Sequence, residues 1–180
     1  KDTLFQNTPI IYRTQEKYIE PTIPGWNSRY YKTLFKNESD KEFIKKVSIN
    51  YLEGLEWVFK YYTKGCVDWK WKYNYHYPPL FADLLNYIPH FDTDFLIEKQ
   101  KQPFNPYVQL SYVLPSYSQS LLPENIKHFL VKNYKQLFPD KFTFEWAFCR
   151  YFWESHPILP VIPIELLNQW DIQFSLNSSS

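Results

Sequence analysis

Residues Trp69 to Tyr77 read WKWKYNYHY, with a ring at every odd position and a polar side chain at every even one. Trp69, Trp71, Tyr73, Tyr75 and Tyr77 make one edge; Lys70, Lys72, Asn74 and His76 make the other. An extended backbone turns successive side chains to opposite faces, so this spacing sorts rings from cations. Two uses suit it. The rings suit a half-buried strand, because strict alternation and aromatic residues both favour strands. Yet no second run of comparable quality follows to pair with it. The same edge also suits stacking on nucleobases, with Lys70, Lys72 and His76 beside phosphates. Such stacking contributes roughly 1–3 kcal/mol per base and tolerates any sequence.

Other chemistry is thinly represented. His90, Asp92 and Asp94 have the spacing of a metal cluster, but they lie on a polar loop where the same residues serve as solvated turn formers. His128, on an amphipathic run, and His156, before Pro157, have no partner visible in the sequence. Cys66 follows Gly65 with no base beside it to raise its reactivity. Cys66 and Cys149 fit neither a disulfide framework nor a zinc set and read as two reduced thiols. No P-loop, G-x-S-x-G or H-E-x-x-H occurs. A hydrolase or transferase site cannot be assembled from these residues alone.

The elements that must carry the aromatic run are those of one domain, the natural content of 180 residues. A net charge of +1 excludes a global basic field. Residues 29–72 nevertheless hold ten Lys or Arg against six Asp or Glu, a modest local excess. Aromatics are 21% of the chain and glycines only three, so the core is ring-rich and its tyrosine hydroxyls need partners. There is no signal peptide and no apolar run long enough to span a membrane. Methionine is absent, even at position 1, which suggests a piece of a longer protein, working in a reducing compartment.

Along the chain, Pro21 and Pro24 keep the first segment extended, and residues 26–36 have helical spacing. Ser39 and Glu42 stand as a capping box, predicting a helix from near Asp40. Ile44, Val47, Tyr51, Leu55, Val58 and Tyr62 then form one apolar stripe, and Gly65 closes the helix. Gly54 inside it costs about 1 kcal/mol relative to Ala and marks a close approach by another element. A short helix follows Pro79, residues 92–106 form a loop, and Pro106, Pro115 and Pro123 divide 104–133 into short helices. Leu121, Leu122, Ile126, Phe129 and Leu130 suit the last of these. Residues 138–157 are aromatic without clear period, and 165–174 form a final helix.

Taken as a succession, these segments resemble the second conserved region of the XRN family of 5′→3′ exoribonucleases. The chain's E-G-L-E-W-V-F-K-Y-Y-T-K-G is similar to the family's E-G-L-x-W-x-x-x-Y-Y-x-x-G, and D-W-K-W-K-Y-N-Y-H-Y-P-P to its S-W-x-W-Y-Y-P-Y-H-Y-A-P. Upstream, G-W-N-S-R-Y-Y-K-T-L-F resembles G-W-K-x-R-Y-Y-x-x-K-F. Downstream, P-F-N-P-Y-V-Q-L-S-Y-V-L-P-S-Y-S-Q-S-L-L-P resembles P-F-x-P-x-x-Q-L-x-x-V-L-P-x-x-S-x-x-L-L-P. The likeness covers roughly residues 25–170. The departures are Asp68 for Ser, Lys72 for Tyr, Asn74 for Pro and Pro78 for Ala, together with V-I-P-I-E for a final F-I-D-E.

The resemblance implies a mostly α fold: an irregular helical domain with one long central helix and an aromatic extended segment. With the prolines before residue 25 and the serine-rich end, the expected division is an extended N-terminal lead-in over 1–24, the helical domain over 25–172 and a disordered tail over 173–180. It implies a helical, non-catalytic portion of the enzyme that buttresses an α/β catalytic region and stacks on single-stranded RNA carrying a 5′-monophosphate. Trp69 or Trp71 is the stacking residue, with phosphate contacts from Lys70, Lys72 and His76, while Tyr73, Tyr75 and Tyr77 belong to the core. Hydrolysis would depend on Mg²⁺ held by carboxylates outside this chain, since the acids here are scattered. The expected setting is the cytoplasm, with the nucleus as the alternative, and no membrane. A catalytically dead scaffold, or a stand-alone single-stranded RNA-binding module, is the competing reading.

Overall fold

Regular structure in the chain is mostly helical, as seen in a computed structural model that describes residues 11–96 and 102–177. The helices are α1 (Thr14–Ile19), α2 (Trp26–Leu34), α3 (Lys41–Lys64), α4 (Phe81–Leu84), α5 (Pro106–Val113), α6 (Glu124–Tyr134) and α7 (Ile164–Asn177). Short 3₁₀ segments extend or link several of them. Two three-residue strands, β1 (Thr143–Glu145) and β2 (His156–Ile158), pair with each other. The aromatic run 69–77 belongs to no strand: Trp69 and Lys70 lie in a turn and residues 75–77 in a bend.

The described residues gather into two compact units. The first draws on Lys1–Glu53, Tyr73–Thr93 and Phe144–His156; the second on Gly54–Lys72, Asp94–Thr143 and Pro157–Ser180. The long helix and the aromatic run therefore each contribute to both.

In the first unit, α2 starts at Gly25, whose φ of +82° suits glycine alone without cost. It buries Tyr30, Tyr31 and Leu34 against Ile19, Tyr77 and Ala147. Arg29 points the other way and donates to the carbonyls of Tyr18, Ile19, Glu20, Ile23 and Pro24 at 2.8–3.2 Å. That guanidinium fills the role of a C-cap for α1 and pins the turn after it. The lead-in over 1–24 is thus not extended throughout. Pro21 and Pro24 shape only the turn, while Thr14–Ile19 coils because Ile19 can be buried and its last carbonyls satisfied. Residues 1–10 of that segment lie outside the described residues.

Two of the buried tyrosines find the partners that their hydroxyls require, whereas the Tyr77 hydroxyl has none among the described residues. Tyr30 donates to the Pro78 carbonyl at 3.0 Å. Tyr31 donates to Asp83 Oδ2 at 2.7 Å and accepts from the Leu80 amide at 3.1 Å. The R-Y-Y of α2, which carries part of the family resemblance, and the A-D-L of α4 meet at this contact. Burial pushes the Tyr30 phenol up to about 12 and raises Tyr31 as well.

Helix α3 begins one residue later than the capping box implies. Asp40, not Ser39, accepts from the Phe43 amide at 2.8 Å, while Ser39 Oγ bonds Ser28 Oγ. Either side chain can cap, but Ser39 is engaged with Ser28, which leaves the first helical amides to Asp40. Gly65 ends the helix with φ +93°, as expected. The apolar stripe is buried only in its first half. Val47 is fully buried and Ile44 and Tyr51 half-buried, but Leu55, Val58 and Tyr62 are exposed. Beyond Gly54 the contacting face moves to Glu56, Trp57 and Lys60, because what meets the helix there is Trp71 and the backbone near Phe95.

The second unit is cored by Val108, Leu122, Ile126, Leu130, Ile162, Trp170 and Phe174. Pro106 takes the first position of α5, where its missing amide is harmless, and Asn105 caps by accepting from Tyr107 at 2.9 Å. Pro123 likewise precedes α6. Leu121 is exposed, its side chain in the 3₁₀ turn Ser116–Leu121 rather than on α6. The tail over 173–180 does not begin where expected: α7 continues through Asn177. Trp170 and Phe174, four residues apart on one face, are both buried in the core and hold the last turns helical. Residues 178–180 lie outside the described residues.

Candidate nucleic-acid interface

The approach to the aromatic run is shaped by Asp68. Its Oδ1 accepts from the Lys70 amide two residues on, at 2.8 Å, and its carbonyl accepts from Trp57 Nε1 at 2.8 Å. The first bond is an Asx-turn, which a serine hydroxyl makes more weakly. The replacement of Ser by Asp therefore keeps the local geometry. Asn74, standing where a proline is usual, donates its amide to buried Asn50 Oδ1 at 2.9 Å, and Asn50 Nδ2 in turn donates to Glu53.

From Trp71 to Tyr77 burial alternates as the spacing predicts: odd positions are covered, even ones exposed. Tyr73 packs on Tyr51, Tyr75 on Phe35 and Phe43, and Tyr77 in the first unit's core. At the start of the run the order inverts. Trp69 is 50% exposed, whereas Lys70 is half-buried. The Asx-turn at 68–70 is a turn rather than extended chain, so the period-two rule does not reach across it.

The two tryptophans consequently have different surroundings. Trp71 lies over Gly54 and stacks on Trp57 at 6.0 Å and 21°, and Trp57 stacks on Tyr61 at 5.2 Å and 12°. Trp69 borders a cavity of about 300 Å³ with Phe104, Val108, Tyr112, Val113 and Leu167 on its walls. That volume is at the small end of ligand sites. Lys70 and Lys72 also line the cavity. Lys70 Nζ sits 4.1 Å above the Phe104 ring and 2.8 Å from Asn168 Oδ1, so it is committed within the fold. Lys72 is exposed, with no carboxylate in salt-bridge distance among the described residues. The structure thus brings Trp69, Lys70 and Lys72 to one place. Phe104, Gln109 and Tyr112 join them from the P-F-N-P-Y-V-Q-L-S-Y stretch, none of whose residues was expected at a site.

His76 is exposed in the first unit, its ring 5.0 Å from that of His156. Burial and the neighbouring His76 hold His156 below the usual histidine range. His128, expected without a partner, lies 3.3 Å from Glu124 one helical turn back. Asp94 pairs with Lys60 at 3.1 Å, which with the charge of that ammonium holds its carboxyl low. Cys66 and Cys149 are both free thiols. Among the described residues no three His, Cys, Asp or Glu side chains gather to hold a metal ion. No described helix is long and apolar enough to cross a membrane.

Comparison with known proteins gives a consistent result. Residues 15–174 match the Xrn1 helical domain. Over 165 residues the chain is 33% identical to 5′-3′ exoribonuclease 1 of Schizosaccharomyces pombe, covering 88% of this chain and 12% of that protein. It is 36% identical over 142 residues to 5′-3′ exoribonuclease 2 of Gallus gallus, covering 77% of this chain and 15% of the relative. Against the 5′-3′ exoribonuclease 2 homolog of Caenorhabditis elegans it is 35% identical over 142 residues, 77% of this chain and 14% of that one. The chain spans only a small part of the length of each.

Proposed function

Because this chain belongs to the Xrn1 helical-domain family, we propose that it serves a 5′→3′ exoribonuclease as a non-catalytic helical part that holds single-stranded RNA beside the catalytic region. Trp69 is the residue that stacks on a base, Lys72 the one that meets a phosphate, and Trp71 a support beneath them. The single observation that carries this reading is the half-exposed indole of Trp69 beside the same cavity as Lys72, a lysine with no carboxylate partner among the described residues, while Trp71 is used up between Gly54 and Trp57. Catalysis on a 5′-monophosphate end, with Mg²⁺, belongs to carboxylates elsewhere in the parent protein; three acids described here serve as a cap, a turn former and an ion-pair partner. Those roles are filled by Asp40, Asp68 and Asp94.

The test is fluorescence anisotropy of a labelled single-stranded RNA titrated with the 180-residue chain at low and moderate salt. Trp69→Ala is expected to weaken binding by about 1–3 kcal/mol, in the range for loss of one stacked base. Lys72→Ala should lower the salt dependence, as removal of one phosphate contact does. Wild-type chain that binds no RNA at either salt would sink the proposal.

A further inference from the structure

A stacking residue needs only an exposed ring; Trp69 has a cavity beside it. The walls contributed by Phe104, Val108, Tyr112, Val113 and Leu167 are apolar, and Gln109 is the one amide among them. That amide already donates to the Phe104 carbonyl at 2.6 Å. A largely apolar group is therefore what the space accepts, a ring able to lie against the Trp69 indole among them, and Lys72, with no carboxylate partner among the described residues, adds a cation at its lining. A nucleotide joins a flat ring to an anion in one ligand, whereas an aliphatic side chain would leave Lys72 unmatched.

Resting on the reading above, we propose that this cavity is a base pocket. One nucleotide of the single strand leaves the base stack and seats its base in the cavity against Trp69, with its phosphate at Lys72. Because the walls offer few hydrogen-bonding groups, the pocket accepts any base and rejects a backbone without one. Recognition is by the presence of a ring, not by its edge.

The experiment compares labelled RNA with an abasic oligomer of equal length, titrated against the 180-residue chain and three variants. Val113 is 66% exposed, so Val113→Phe fills the cavity without entering the core. It is expected to weaken RNA binding about tenfold and leave abasic binding unchanged, a loss of one decade in affinity. The sign is diagnostic, since a phenyl ring that merely added stacking surface would strengthen binding. Lys72→Ala should weaken both oligomers equally, and Trp69→Ala the RNA alone. If Trp69→Ala weakens RNA while Val113→Phe leaves it unchanged or stronger, the base pocket is wrong and simple surface stacking stands; the cavity then suits a protein side chain. If wild type binds neither oligomer, both the pocket and the underlying RNA reading are overturned.

Discussion

The α-carbon of Gly54 and the indole of Trp71 share one space: a methyl group built on Gly54 would lie 2.7 Å from the far edge of the Trp71 ring. The ring cannot simply retreat, because it is stacked on Trp57, which is itself anchored to the Asp68 carbonyl. A glycine in the middle of a long helix is thereby explained by the tryptophan that crosses it.

Gly54→Ala should therefore destabilise the chain by roughly 1–2 kcal/mol, the overpacking cost exceeding the helix-propensity gain of about 1 kcal/mol. In a Trp71→Ala background the same change should become stabilising. Urea melts of the four proteins in this cycle measure the reversal, and additive effects would show that the two residues are not in contact as described.

Asp68 sets the turn on which Trp69 stands. Asp68→Ala removes the acceptor for the Lys70 amide and should cost about 1 kcal/mol, near the net value of one hydrogen bond. Asp68→Ser should recover most of that loss, since its hydroxyl can make the same turn. RNA binding should weaken in Asp68→Ala and return in Asp68→Ser, read as the anisotropy of a labelled single-stranded RNA; binding unchanged in Asp68→Ala would mean that the turn does not set the place of Trp69.

Tyr31 links α2 to the segment around α4 through one hydroxyl that both donates and accepts. Tyr31→Phe leaves the Leu80 amide and the Asp83 carboxylate without that partner and should cost about 1–3 kcal/mol. An unchanged denaturant midpoint would mean that water replaces the hydroxyl at no cost.

Acid should loosen the first unit through His156. Its folded pKa lies below the ordinary 6.5, first through burial and then through the charge of His76, with Glu145 opposing. A base so depressed binds fewer protons folded than unfolded, so its contribution is present above pH 6.5 and is lost as pH falls through 6.5 toward the folded value. Unfolding free energy measured from pH 7.5 to 5.5 should decline, and His156→Gln should flatten that part of the slope. The decline would persist unchanged in this variant if other groups were responsible.

Much of this architecture was legible in residue order, because the signals concerned are local. Gly65 marked the end of α3, Pro106 and Pro123 marked helix starts, and Gly54 announced a close approach without naming its partner. The alternation from Trp71 to Tyr77 told which side of an extended chain is covered. These follow from φ preferences, missing amides and side-chain direction, all set within a few residues.

What only the tertiary structure decided involves competition between residues far apart or between equal local options. Ser39 and Asp40 are both competent caps, and the choice between them rests on where the helix is held. Leu55, Val58 and Tyr62 continue a clean apolar stripe, yet they stay exposed because the partner, Trp71, arrives on another face. Arg29 counts as surface charge in the sequence, but the α1 carbonyls consume it. Trp69 and Trp71 are indistinguishable by type and spacing. One is covered and the other left open because the Asx-turn at Asp68 breaks the period between them and Gly54 supplies a gap for only one indole. Composition and spacing determined the kind of groups present; packing determined which of them remain free to act.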